Sequence, residues 1–141
     1  GSPVELLDGD LLRAVFPRTG FHPEERHAHV QRVAHIASLL SKHGVIPVVA
    51  LISPYRRSRD FARSLCPRFV EVHVATPLEV CERRDVKGLY QRARQGLIHN
   101  FTGIDDVYEP PLAPEVRIDT RSVEVEEAIR RILAAMELPG S

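Results

Sequence analysis

Three segments of the sequence combine residue types that can do chemistry, and each also has an ordinary structural use. The first is Asp8-Gly9-Asp10-Leu11-Leu12-Arg13. Two carboxylates around a glycine at a strand end can hold a metal-bound water or take a proton from a hydroxyl. Arg13 adds a planar cation suited to phosphate or sulfate. The same residues equally spell an Asp-Gly turn that caps a helix. The second is Ile52-Ser53-Pro54-Tyr55-Arg56, a strand-to-helix loop whose backbone N–H groups can face an anion. Its structural alternative is a simple N-cap, with Arg56, Arg57, Arg59 and Arg63 as a solvated face. The third, residues 82–94, carries the cations Arg83, Arg84, Lys87, Arg92 and Arg94 and breaks its helical pattern at Lys87-Gly88. A basic flap suits phosphoryl transfer, where charge spreads over the transferred oxygens. An exposed basic helix has the same composition.

Two aromatics stand in polar company. Phe21 precedes His22-Pro23-Glu24-Glu25-Arg26, and Phe101 lies in Asn100-Phe101-Thr102-Gly103-Ile104-Asp105. Each is either core or a platform on which a base stacks. The histidines argue against a metal site: His27 and His29 are two residues apart and His29 and His35 six, spacings that do not share a helix face, and there is no His-x3-His pair. Cys66 and Cys81 are too few for a disulfide scaffold and lack metal-site spacing.

The elements that must position these residues follow from patterning. Residues 4–7 (Val-Glu-Leu-Leu) read as a strand ending at Asp8-Gly9-Asp10. Between residues 22 and 43, Val30, Val33, Ala37 and Leu40 mark one face of a helix, closed by Gly44. Residues 46–52 and 69–75 are apolar-rich runs of strand length, as expected of a parallel sheet covered on both faces. Thr76-Pro77-Leu78-Glu79 reads as a helix start with a threonine N-cap, proline at the first helical position and a capping-box glutamate. Residues 116–119 form a last strand. Ser122 is expected to cap a final helix whose Val125, Ile129, Ile132, Leu133 and Met136 share a face. Strands and helices alternating in this order predict an α/β domain with a parallel sheet, its ligands at the C-terminal strand ends. The expectation is therefore one domain over residues 1–141.

Composition bounds the function. With 43% hydrophobic and 27% charged residues the chain is ordinary globular material. Its 19 basic and 19 acidic residues cancel, which removes the usual electrostatic footprint of a nucleic-acid-binding domain. No apolar run approaches the ~20 residues of a membrane span, and no signal-peptide pattern opens the sequence. The expectation is a cytoplasmic protein without nucleic-acid or membrane partners.

Taken together, the segments resemble the adenylylsulfate kinase family. The resemblance runs from about residue 4 to residue 120. It rests on Leu-Asp-Gly-Asp-x-x-Arg at 7–13, Phe-x-x-Glu-x-Arg at 21–26 and Ile-Ser-Pro-Tyr-Arg at 52–56. It continues with Thr-Pro-Leu-Glu-Val-Cys-Glu-x-Arg-Asp-x-Lys-Gly-Leu-Tyr at 76–90 and Asn-Phe-Thr-Gly-Ile-Asp-Asp at 100–106. Any one is weak; five in order at family spacing are specific. The resemblance implies a three-layer P-loop-type α/β fold and transfer of a phosphoryl group from MgATP to the 3′-hydroxyl of adenosine 5′-phosphosulfate. It makes Asp10 the general base or orienter, with Asp8 toward the Mg2+ shell and Gly9 between them. Arg13 and Arg26 would hold the phosphosulfate, which bidentate guanidinium geometry suits. Phe21 and Phe101 would stack on the substrate adenine. Ile52 and Ser53 would line the pocket, Ser53 standing where some members carry a phosphorylated serine. Lys87 would reach the substrate from the flap, Asn100 would contribute beside Phe101, and Arg83 and Arg84 would lie near the ATP phosphates. Homo-oligomerisation and fusion to ATP sulfurylase are further family traits.

Leu11, His29 and His99 depart from the family pattern, which has asparagine, asparagine and lysine there. His29, at a substrate-contact position, leads us to expect a weaker or pH-sensitive site. The phosphate-loop motif Gly-x-x-x-x-Gly-Lys-Ser/Thr is absent from these 141 residues. In the family it belongs to a strand–loop–helix segment ahead of Leu-Asp-Gly-Asp, about 30 residues as in a βα unit. Leu138-Pro139-Gly140-Ser141 only faintly echoes such a loop. The favoured expectation is part of a longer kinase lacking its first strand and phosphate loop. The alternatives are a non-catalytic nucleotide-binding or regulatory module, and a small kinase acting on a sugar or nucleoside.

Overall fold

The computed structural model describes residues 1–17 and 19–137, so the terminal Leu138-Pro139-Gly140-Ser141 echo lies outside it. Two compact units make up the chain, Gly1–Pro67 and Arg68–Ser141.

In the first unit, strand β1 (Val4–Asp8) runs into helix α1 (Gly9–Val15), followed by α2 (Pro23–Lys42), β2 (Ile46–Ala50) and α3 (Arg56–Leu65). β1 and β2 pair in parallel, with Val4 opposite Ile46 and Asp8 opposite Ala50. Neighbouring parallel strands need a crossover connection, which α2 supplies. The apolar spacing read from the sequence is the buried face of that helix: Val30, Val33, Ala34 and Ala37 are all buried. Val33 and Ala37 join Leu7 in a core against which Leu12, Ile36, Leu40 and Leu51 pack. Gly44 adopts φ +79°, and the N–H groups of Gly44 and Val45 donate back to Ser41 O and Leu40 O, a glycine-closed helix end as expected. Helix α3 packs on α2 through the fully buried Ser58, whose Oγ lies 2.8 Å from His27 Nδ1. His27 and His35 both meet the Phe61 ring edge-on, at 6.4 and 5.7 Å.

Strand β2 is shorter than the apolar run at 46–52. Its partner turns into α1 after Asp8, opposite Ala50, so beyond that pair no strand remains to continue the ladder. The face of β1–β2 carrying Leu7 packs on α2, whereas Val4, Leu6 and Val48 on the other face remain 60%, 60% and 48% exposed.

The second unit contains β3 (Val72–Val74), α4 (Leu78–Arg84), α5 (Leu89–Arg94), β4 (Val116–Ile118) and α6 (Val125–Glu137). β3 and β4 are again parallel, Val72 opposite Val116 and Val74 opposite Ile118. The run at 69–75 forms only three strand residues because β4 offers only three partners. Val116, Ile118 and Ala135 make the core, with Val70, Val72, Val123, Ala128 and Ile132 packed against it.

Two expected caps and one expected face are corrected here. Pro77 takes the N-cap position of α4 without a side-chain bond. The Thr76 hydroxyl instead lies 2.6 Å from Thr120 Oγ1 and accepts the Thr120 N–H, tying the ends of β3 and β4. Ser122 donates back to Asp119 O rather than capping α6. On α6, Ile132 faces the core but Val125, Ile129 and Leu133 are half-exposed or more, because Ala128, Ile132 and Ala135 form the packed stripe. Among the described residues no helix is long and apolar enough to cross a membrane.

Candidate active site

In the first unit the strand end and the start of α2 converge on one cluster. Asp8 is the N-cap of α1, its Oδ1 accepting the Asp10 N–H at 2.9 Å. Thus the Asp-Gly-Asp segment is a helix cap, and it also leaves the Asp10 side chain exposed in the first turn. Gly9 is buried because the chain passes close to the end of β2. A Cβ there would come within 2.5 Å of Leu51 Cδ2 and 3.1 Å of Ala50 O.

One turn along α1, Arg13 donates to Thr19 O and Gly20 O at 3.2 and 3.0 Å, which folds the connecting loop back over the helix. The Gly20 N–H is held by Glu25 Oε2 at 3.1 Å. This loop delivers Phe21 to two guanidinium groups. Arg13 lies 4.6 Å and Arg26 5.6 Å from the ring centroid, and the buried Arg26 donates from Nε to Phe21 O at 2.8 Å. The ring itself is 54% exposed. Burial and the neighbouring Arg26 push the Arg13 guanidinium below its ordinary value, while Asp10 and Glu25 pull it back. Two like charges beside a half-open ring form a site that an anion relieves.

His29 lies next to this cluster on α2. It is 1% exposed, and neither ring nitrogen has a hydrogen-bond partner. Phe16 meets its ring edge-on at 6.3 Å. Burial, reinforced by Arg13 and Arg32 and weakly opposed by the Gly9 backbone, lowers its pKa to about 4. The expected titration near neutrality is therefore corrected: this ring is neutral there. After β2, Ile52 is 65% exposed. Ser53 holds φ +42°, its Oγ buried without a partner while its carbonyl accepts from Arg59 Nη1 at 2.6 Å. A non-glycine residue in the left-handed region stores local strain.

In the second unit Lys87 stands exposed on the turn between α4 and α5. Arg84 donates to Thr120 Oγ1 at 2.7 Å and to Thr120 O at 3.4 Å. Arg83 lines a cavity of about 400 Å3 with Leu78, Glu79, Glu82 and Arg94. Asn100 takes φ +54°, and Phe101 meets Tyr90 edge-on, centroids 5.0 Å apart at 78°. His99 is exposed at the start of that loop, while Leu11 is 68% exposed on α1.

Two carboxylates were not singled out from the sequence. Asp85 accepts the N–H groups of Tyr90 and Gln91, and Asp105 those of Asn100 and Phe101. Their signal is an aspartate four to five residues from an aromatic, a spacing too common to stand out.

A family model described as adenylylsulphate kinase matches residues 1–119. An adenylyl-sulfate kinase of Synechococcus is 48% identical over 141 residues, covering 99% of this chain and 81% of the relative. The structure of the Mycobacterium tuberculosis APS kinase CysC in complex with AMPPNP and APS superposes with a TM-score of 0.90 at 37% identity. That match covers 97% of this chain and 81% of the other. A hexameric APS kinase from Thiobacillus denitrificans matches at TM-score 0.67 and 30% identity, over 97% of this chain and 23% of that one. The chain belongs to the adenylylsulphate kinase family.

Proposed function

We propose that the chain phosphorylates adenosine 5′-phosphosulfate at its 3′-hydroxyl with the γ-phosphate of ATP, giving 3′-phosphoadenylylsulfate. The observation that carries this reading is the Arg13–Phe21–Arg26 cluster beside Asp10. The two guanidinium groups suit the phosphosulfate, the exposed Phe21 ring suits an adenine, and Asp10 suits the proton of a ribose hydroxyl. Ile52 and Ser53 would line the substrate site from the loop that follows β2, while His29, buried beside Arg13, acts on that site through its neighbours. In the second unit Phe101 offers a ring to the adenine. Lys87 and Asn100 add polar contacts, and Arg83 and Arg84 serve the ATP phosphates.

Catalysis is then positioning and charge stabilisation, with Asp10 orienting the hydroxyl and taking its proton. Mg2+ binds chiefly through nucleotide phosphates with one or two carboxylates. Asp8 would supply such a carboxylate, although no group of three or more His, Cys, Asp or Glu side chains gathers among the described residues. When bound, the ion neutralises charge on the phosphoryl group. Homo-oligomerisation belongs to the same reading, supported by the hexameric relative.

A coupled assay tests the reading: ADP should be released only when ATP and adenosine 5′-phosphosulfate are both present. Asp10→Asn should cut turnover about 100-fold and change substrate affinity by less than about 3-fold. Unaltered turnover would contradict the assignment of Asp10. Substrate binding without ADP release would favour the non-catalytic module.

A further inference from the structure

The Phe101 ring can serve a planar ligand only if its backbone holds it in one direction. The loop at 100–106 closes on polar bonds that do so. Phe101 O accepts the N–H groups of Ile104, Asp105 and Asp106 at 3.0, 3.1 and 3.2 Å. On the amide side, Asp105 Oδ2 accepts the Asn100 N–H at 2.8 Å and Oδ1 accepts the Phe101 N–H. These bonds to a charged acceptor are stronger than neutral ones. They hold the Asp105 carboxyl below its ordinary range, with the nearby His99 acting in the same sense. The same device repeats at Tyr90. Asp85, in the left-handed region at φ +30°, ends α4. Its two carboxylate oxygens accept the Tyr90 and Gln91 N–H groups at 2.9 and 3.1 Å. Tyr90 is the residue whose ring meets Phe101.

We propose that Asp105 is a positioning residue for the substrate-stacking ring, fixing Phe101 through its own backbone, with Asp85 bracing it through Tyr90. This inference rests on the reading that Phe101 stacks on the substrate adenine. Neither carboxylate needs to touch the substrate. Their contribution is that the ring is in place before the nucleotide arrives, so its ordering does not have to be offset by binding energy.

The test is a calorimetric titration of adenosine 5′-phosphosulfate into the full chain and its Asp105→Ala, Asp105→Asn, Phe101→Ala and Phe101→Ala/Asp105→Ala variants. Asp105→Ala should weaken binding about 10-fold, and Asp105→Asn, which keeps one acceptor oxygen, about 3-fold. In the Phe101→Ala background the Asp105→Ala change should add less than about 2-fold, because the group acts through the ring. If Phe101→Ala weakens binding but Asp105→Ala does not, the positioning role is wrong and the stacking reading survives. If Asp105→Ala costs the same with and without the Phe101 ring, the carboxylate acts elsewhere and the proposal is overturned. If Phe101→Ala has no effect, the stacking reading falls and the proposal with it. Should Asp105→Ala fail to fold, Asp105→Asn in both backgrounds decides the same question.

Discussion

His29 shows how one buried side chain sets the pH response. Its folded pKa is about 4, against about 6.5 for an exposed histidine. Between these values the unfolded chain binds the proton that the folded chain refuses, so stability falls as pH falls from 6.5 toward 4. Each unit of that window is worth ~1.4 kcal/mol. Urea midpoints measured from pH 7 to pH 4 should therefore decline more steeply for the native chain than for His29→Asn. Parallel declines would show that another group carries the effect. The departure at position 29 was legible as a letter. Its protonation was not, because the neighbours that desolvate it and the cations at Arg13 and Arg32 come from the fold. Arg13 makes the complementary case. Arg13→Lys keeps the charge but loses the planar guanidinium that lies over Phe21 and whose Nη1 bonds Thr19 O and Gly20 O. Substrate affinity should drop about 10-fold, while thermal stability moves by no more than about 1 kcal/mol; a lysine variant with native affinity would remove the guanidinium from the account.

At the scale of elements, helices were easier to read than strands. The periodicity of Val30, Val33 and Ala37 is local and survived intact in α2. The ends of β2 and β3 depend on partners distant in sequence, which no local pattern encodes. The α6 stripe misled for a related reason. The helix carries more than one apolar row, and the row that packs runs through Ala128, Ile132 and Ala135 rather than Val125, Ile129 and Leu133. The β1–α1 corner gives the sharpest prediction. Gly9→Ala places a methyl against Leu51 Cδ2 and Ala50 O, and overpacking of this kind costs about 1–3 kcal/mol. It should lower the urea midpoint accordingly and weaken substrate binding, since Asp10 and Arg13 ride on the displaced helix. A variant with unchanged stability would mean that the corner relaxes freely.

For the molecule as a whole, parallel pairing and βα alternation were readable from the order of apolar runs and helix signals. The partition into two two-stranded pairs was not. The balanced charge of the chain leaves local clusters to do the electrostatic work, and the Arg13–Arg26 pair is the one that the chemistry singles out. The most direct measurement is calorimetry of adenosine 5′-phosphosulfate against adenosine 5′-monophosphate on the native chain and on Arg26→Ala. The account predicts one saturable site that prefers the phosphosulfate by at least about 10-fold, with that preference lost in Arg26→Ala. Equal affinity for the two nucleotides, or an unchanged preference without Arg26, would contradict it.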